Sequence, residues 1–249
     1  MPYLFLSPST QEFNPYVTRE NEEYWMNLLA DRMEPYLLAS GIGFVRNDPD
    51  KNAAAAIRQS NAGTYDFHLA LHSNAAPPEK SGQLRGVDFY YYPTSAEGRR
   101  MAELLVEQIK PIYPLPELVR AVPTTTLGEV RRTRAPSVLA ELGYHDNPED
   151  AAWIEDNLDL IAQALVRGVS EYFGVPFQEP VPVRRGVVTV NWGTLNIRDY
   201  PNLSAAVLAS APNGAELVIY GESGNWYSVS YHGIVGYAST AFVVANAIN

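Results

Sequence analysis

The chain has 249 residues, 46% of them hydrophobic, with 18 basic against 28 acidic side chains and a formal net charge of −10. That length and apolar content predict one large domain, or a medium one with a small companion, around a proper core. The acidic balance, without any Lys/Arg cluster, excludes nucleic acid and capture by charge alone; the absence of cysteine excludes disulfides, thiolate metal sites and cysteine nucleophiles.

The opening MPYLFLSPST lacks a basic n-region, and no window approaches membrane-spanning length, so neither a secretory signal nor an anchor is expected. Tyr3 to Leu6 reads as a short buried strand emptying into the SPST loop. Glu22 to Ser40 places Trp25, Leu28, Leu29, Met33, Tyr36 and Leu37 near helical spacing, with Gly41 as a stop and Pro35 as a kink or break. GIGFVRN reads as a strand, NAAAAIRQSNA as a helix, and DFHLALHSN and GVDFYYYP as further strands. SAEGRRMAELLVEQIKPIY is an amphipathic helix, SVLAELGY a buried strand, and EDAAWIEDNLDLIAQALVRGVSEYFG one long final helix.

This alternation predicts an α/β sheet covered by helices on both faces, with functional groups at the C-terminal ends of its strands. After Gly174 the proline-rich VPFQEPVPVRRG reads as a linker, 177–185. From Gly186 the runs VVTVN, LNIRD, ELVIYGE, NWYSVSY and IVGYAS, separated by Gly, Asn and Pro turns, predict a small closed or nearly closed β-barrel over 186–249.

His68 and His72 stand four apart in DFHLALHSN. On a helix they could share a metal, but on a strand they lie roughly 13 Å apart at about 3.3 Å per residue, too far for one ion. His72, at the strand's C-terminal end with Ser73 and Asn74, is the functional candidate, and His68 reads as a core or supporting histidine. Glu22 and Glu23 open the first helix, where negative charge is stabilised. Glu141 interrupts an apolar strand near its end, where a charge must be paired or used; an arginine such as Arg131 is the structural alternative.

Residues 2 to 174 resemble the zinc-dependent N-acetylmuramoyl-L-alanine amidases of the Amidase_3 type. The resemblance is carried by the helix-opening acid in NEEYWMNLLADRMEPYLLASG, by Asn61 and the strand in SNAGTYDFHLALHSNA, by VDFYYYP with its following helix, and by PSVLAELGYHDNPEDAAWI. It implies a mixed sheet flanked by helices on both faces (phosphorylase/hydrolase-like), a zinc ion held by His, Glu and His, and a catalytic Glu. Carried over, these roles fall on His72 and Glu22 as ligands, with Glu23 as the fallback, and on Glu141 as general acid/base.

The first zinc histidine is absent, because the family's D-P-G-H-G-G stands here as Ser7-Pro8-Ser9-Thr10-Gln11-Glu12. Thr10 falls on the ligand, and the neighbouring amide of Gln11, or His145, is the candidate replacement. Asn74, His145 and Asn147 are candidate substrate contacts, with turn formation as the structural alternative for the two asparagines. The implied reaction is hydrolysis of the amide bond between N-acetylmuramic acid and L-alanine in peptidoglycan.

Residues 186 to 244 resemble a bacterial SH3 (SH3b) domain through Thr194-Leu195-Asn196-Ile197-Arg198, Pro212-Asn213-Gly214, Gly224-Asn225-Trp226-Tyr227 and Gly233-Ile234-Val235-Gly236-Tyr237. Such modules bind the cell wall, and Trp226, Tyr227 and Tyr237 read as packed structure. The expected setting is a Gram-positive wall, reached by lysis, during sporulation or as a phage endolysin, with peptidoglycan as partner and neither nucleic acid nor membrane. The rival reading is a non-catalytic wall-binding protein whose amidase fold has lost its metal.

Overall fold

A computed structural model describes residues 2–246; Met1 and 247–249, which fall within the expected domains 1–176 and 186–249, lie outside the described residues. In chain order the first region forms β1 (Tyr3–Pro8), α1 (Glu22–Ala39), β2 (Gly43–Arg46), α2 (Ala53–Ala62), β3 (Phe67–Asn74), β4 (Val87–Tyr91), α3 (Ala96–Ile109), β5 (Val119–Pro123), α4 (Gly128–Arg131), β6 (Ser137–Tyr144), α5 (Pro148–Asp156) and α6 (Leu158–Phe173).

The six strands order as β2-β1-β3-β6-β4-β5. β1 runs parallel to β3 and β3 to β6, whereas β4 is antiparallel to β6, so the sheet is mixed. The central strands are apolar runs because both faces are covered: Leu69, Ala70 and Leu71 of β3 and Val138, Ala140 and Leu142 of β6 are fully buried.

Three local expectations change. Pro35 lies inside one continuous α1, so it marks no break; a helix-interior proline costs about 3 kcal/mol, which burial of Met33, Tyr36 and Leu37 on the same turn offsets. The expected long final helix divides at Asn157, whose amide donates to Trp153 O (2.8 Å) to close α5 while its own carbonyl accepts from Ile161 N (2.9 Å) to start α6. β5 and α4 were unexpected, since an edge strand of five residues ending in proline and a single helical turn carry almost no periodicity.

The later region forms β7 (Arg184–Val188), β8 (Thr194–Arg198), β9 (Val207–Pro212), β10 (Glu216–Ser223), β11 (Trp226–Tyr231), β12 (Ile234–Ser239) and β13 (Val243–Ala245), ordered β13-β7-β10-β11-β12-β8-β9 with antiparallel pairings. Leu195, Ile197, Leu217, Ile219 and Val229 alternate inward to form its core. β11 and β12 meet in a two-residue turn with positive φ at His232 (50°) and Gly233 (79°), the backbone that tight hairpins require.

By internal contacts the chain divides into two compact units, and residues 34–43 belong with the β-rich one. Within that unit Tyr237 is fully buried and its hydroxyl donates to Ser40 O at 2.5 Å. Tyr227 is also buried, whereas half-buried Trp226 lines a groove of about 290 Å³ with Trp192, Leu203 and Phe242.

Candidate active site

In the α/β unit, β3 and β6 are parallel neighbours, so their C-terminal ends emerge together. His72 faces Glu141 across this pair, and Glu141 faces Asp88 of β4 on its other side. The N-terminus of α1 delivers Glu22 to the same end of the sheet. Its carboxylate, fully buried, accepts from Asn14 Nδ2 at 2.6 Å and lies 2.7 Å from His72 Nδ1. Gln11 Nε2 approaches the same ring nitrogen at 3.2 Å, and Gln11 Oε1 accepts from Asn14 Nδ2 at 3.2 Å.

On the opposite edge of the ring, His72 Nε2 donates to Glu129 Oε2 at 3.2 Å. The other oxygen of Glu129 lies 3.1 Å from His68 Nε2 and accepts from Ser7 Oγ at 2.6 Å. His68 completes the row by contacting Ser60 Oγ through Nδ1 at 3.0 Å. A buried line of polar groups thus runs Ser60, His68, Glu129, His72, Glu22.

Each charge state follows from its surroundings. Burial alone would lower the His72 imidazole, but its hydrogen bonds to Glu129 and Glu22 push it well above its ordinary value. Burial opposes ionisation of Glu22 and Glu129, yet bonds from His72 hold Glu22 below the usual carboxylate range, and bonds from His68 and His72 hold Glu129 far below it. Glu141 is the exception: burial, reinforced by Glu22 and Asp88 and opposed by His72, pushes it up to about 8. Its Oε2 is buried with no hydrogen-bond partner.

Of the residues singled out from sequence, Gln11, Glu22 and His72 converge, and Glu141 stands beside them. Glu23 does not join; its Oε1 accepts from Asn27 Nδ2 at 3.3 Å. Thr10 borders a narrow recess with Ser9, Asn47, His72 and Glu129. His145 is not bonded to this cluster: its Nδ1 is 3.2 Å from Ser73 Oγ and its ring packs on Tyr16 at 5.5 Å, so it does not fill the missing ligand position. Asn147 is a correction, since its Oδ1 caps α5 by accepting from the amides of Glu149 and Asp150 and its Nδ2 donates to Gly82 O, which commits it to the loop. Asn74 Oδ1 accepts from Ala75 N at 2.9 Å at the end of β3. No arginine bonds Glu141 Oε2, the oxygen for which Arg131 was the alternative partner. Glu129 went unnoticed in the sequence because a lone acid in a four-residue helix has no spacing signature.

Among the described residues no three His, Cys, Asp or Glu side chains gather as a metal cage. The donors nevertheless suit a cation if the amide is counted: an imidazole whose far nitrogen is backed by a carboxylate, a buried carboxylate and Gln11. The unpartnered oxygen of Glu141 adds negative potential that a cation would relieve.

A family model described as N-acetylmuramoyl-L-alanine amidase matches residues 10–171, more than half of the chain. The chain belongs to the N-acetylmuramoyl-L-alanine amidase family. A bacterial SH3 domain model matches residues 193–244. The "Probable cell wall amidase LytH" of Staphylococcus aureus is 32% identical over 110 residues, covering 43% of this chain and 35% of that protein, so the chain spans about a third of this relative's length. The catalytic domain of the amidase CwlV from Bacillus (Paenibacillus) polymyxa var. colistinus superposes with TM-score 0.60 at 20% identity, over 71% of this chain and 100% of that one. The CwlD amidase of Clostridioides difficile, solved with the GerS lipoprotein, gives TM-score 0.59 at 13% identity over 70% and 99%. These structures share the mixed α/β fold of this amidase-family chain.

Proposed function

We propose that this chain is a metal-dependent peptidoglycan amidase that hydrolyses the bond between N-acetylmuramic acid and the L-alanine of the stem peptide. The observation that carries the reading is Glu141, a partly buried side chain whose Oε2 is buried without a hydrogen-bond partner and whose affinity for protons is pushed up to about 8, one strand from His72. A general base works best with a pKa near the operating pH. Glu141 takes a proton from the attacking water and returns it to the leaving L-alanine nitrogen as the C–N bond breaks. Gln11, Glu22 and His72 would hold the ion, with zinc the expected metal; when bound, it supplies Lewis-acid polarisation of the scissile carbonyl. Asn74, at the strand end, and His145 are the proposed substrate-facing groups.

The SH3-matched region supports action on the wall: Trp192 is 88% exposed beside Trp226 and Phe242, which suits attachment to a polymer and would raise the local concentration of the amidase region. The reading is tested by incubating purified protein with peptidoglycan. Free L-alanine amino groups and intact stem peptides should be released, and Glu141→Ala or a chelator should stop the release. Activity that survives both treatments overturns it.

The lack, among the described residues, of three clustered His, Cys, Asp or Glu donors favours a second reading, a wall-binding protein with a metal-free amidase fold. Stoichiometric zinc in the purified protein, measured by elemental analysis, excludes that reading.

A further inference from the structure

Glu129 belongs to no motif of the chain, yet it is buried at the centre of the polar row. A carboxylate in that position must be strongly satisfied to stay ionised. Ser7 Oγ and His68 Nε2 bind one oxygen at 2.6 and 3.1 Å, and His72 Nε2 binds the other at 3.2 Å. Its backbone is fixed as well, because Glu129 O accepts from Thr133 Oγ1 at 2.9 Å. His68 is itself immobilised, stacked on Phe5 at 5.2 Å between centroids with 17° between planes and bonded to Ser60. The carboxylate therefore cannot swing away from His72 without breaking contacts to β1 and β3 together.

We propose that Glu129 is a positioning residue for His72: it accepts the hydrogen bond from Nε2–H and fixes the ring so that Nδ1 faces Glu22 and Gln11. A histidine ligand needs its free nitrogen aimed and its tautomer set, and a carboxylate on the other nitrogen does both. The need is sharper here because one histidine of the ligand motif is replaced, leaving His72 as the single imidazole among the proposed ligands Gln11, Glu22 and His72. His68 and Ser7 are then the supports of Glu129 and are not ligands, which gives the inward histidine of DFHLALHSNA a definite task. The inference rests on the metal-dependent reading above.

The test measures zinc affinity of the full chain by competition with a chromogenic chelator, alongside the thermal midpoint of the metal-free protein. Glu129→Gln keeps the shape and one acceptor, and should weaken zinc binding about tenfold; Glu129→Ala should weaken it towards a hundredfold. Raising zinc to saturation should restore most amidase activity to Glu129→Gln, because the reacting groups are untouched. Folded Glu129→Gln and Glu129→Ala proteins that bind zinc within threefold of the parent overturn the proposal, as does Glu129→Gln activity that stays low at saturating zinc. A parent protein that binds no zinc overturns both this proposal and the metal-dependent reading, whereas a zinc-binding parent with unaffected variants overturns this one alone.

Discussion

His72 and Glu141 occupy facing positions on β3 and β6, but His72 directs its two ring nitrogens to other carboxylates, Glu22 and Glu129, and leaves Glu141 Oε2 without a partner. The division of labour follows from geometry. Carboxylates bonded to His72 are held ionised, and the one that is merely near it keeps its proton until about pH 8. Replacing Glu141 by Gln should therefore remove proton transfer while preserving shape. The expected loss is roughly 10²–10⁴-fold in kcat, read as amino groups released from peptidoglycan, with zinc content unchanged.

The same carboxyl makes metal-free stability depend on pH. Its pKa rises from 4.5 unfolded to about 8 folded, so between these values the folded state holds the extra proton and stability declines as pH rises, by at most about 1.4 kcal/mol per pH unit for one proton. His72, raised above 6.5, acts in the same direction from that pH upward. Glu22, lowered from 4.5, loses its contribution as pH falls through the acid range. Metal-free protein should be most stable in mildly acidic solution, and Glu141→Gln should flatten the decline towards pH 8. Thermal midpoints across this range, in chelator, decide it; an unchanged slope in the variant refutes the assignment.

The third ligand is open to direct engineering. Gln11, not Thr10, reaches His72 Nδ1, and an amide is a weaker zinc donor than imidazole. Gln11→His should raise zinc affinity at least tenfold and Gln11→Ala should lower it, by the same chelator competition. If Thr10→His gives the larger gain, the ligand position follows the family spacing and not the present side-chain contact.

How much of this was legible in the sequence varies with the kind of signal. His72 and Glu141 could be found because a strand ending in a polar group, or an acid interrupting apolar residues, breaks a local pattern. Glu22 was singled out over Glu23 only through the family resemblance, which aligns the apolar positions of the helix it opens. Glu129 could not be found: it reaches Ser7 across 122 positions of sequence and sits in a single turn whose composition says nothing of burial. Asn147 was misplaced for a related reason. It follows Glu141 closely in sequence, but it lies beyond the end of β6 at Tyr144, where its side chain caps α5. Adjacency in sequence to a site residue implies adjacency in space only while the strand continues.

Asp150 shows how the end of β6 is held. Fully buried in the first turn of α5, it accepts from Arg85 Nε (2.8 Å) and Tyr113 Oη (2.7 Å) on one oxygen and from the amides of Gly86 (3.1 Å) and Tyr144 (3.0 Å) on the other. One carboxylate thereby joins the start of β4, the end of β6 and α5, the frame that carries Glu141. Asp150→Ala strands two buried amides and a guanidinium, and should cost about 3–5 kcal/mol of unfolding free energy. Glu149→Ala, its neighbour with a side chain 72% exposed and also paired with Arg85, should cost less than about 1 kcal/mol. Urea unfolding of the two variants, at equal zinc, measures the contrast; similar losses for both would show that the buried bonds of Asp150 do not hold the frame.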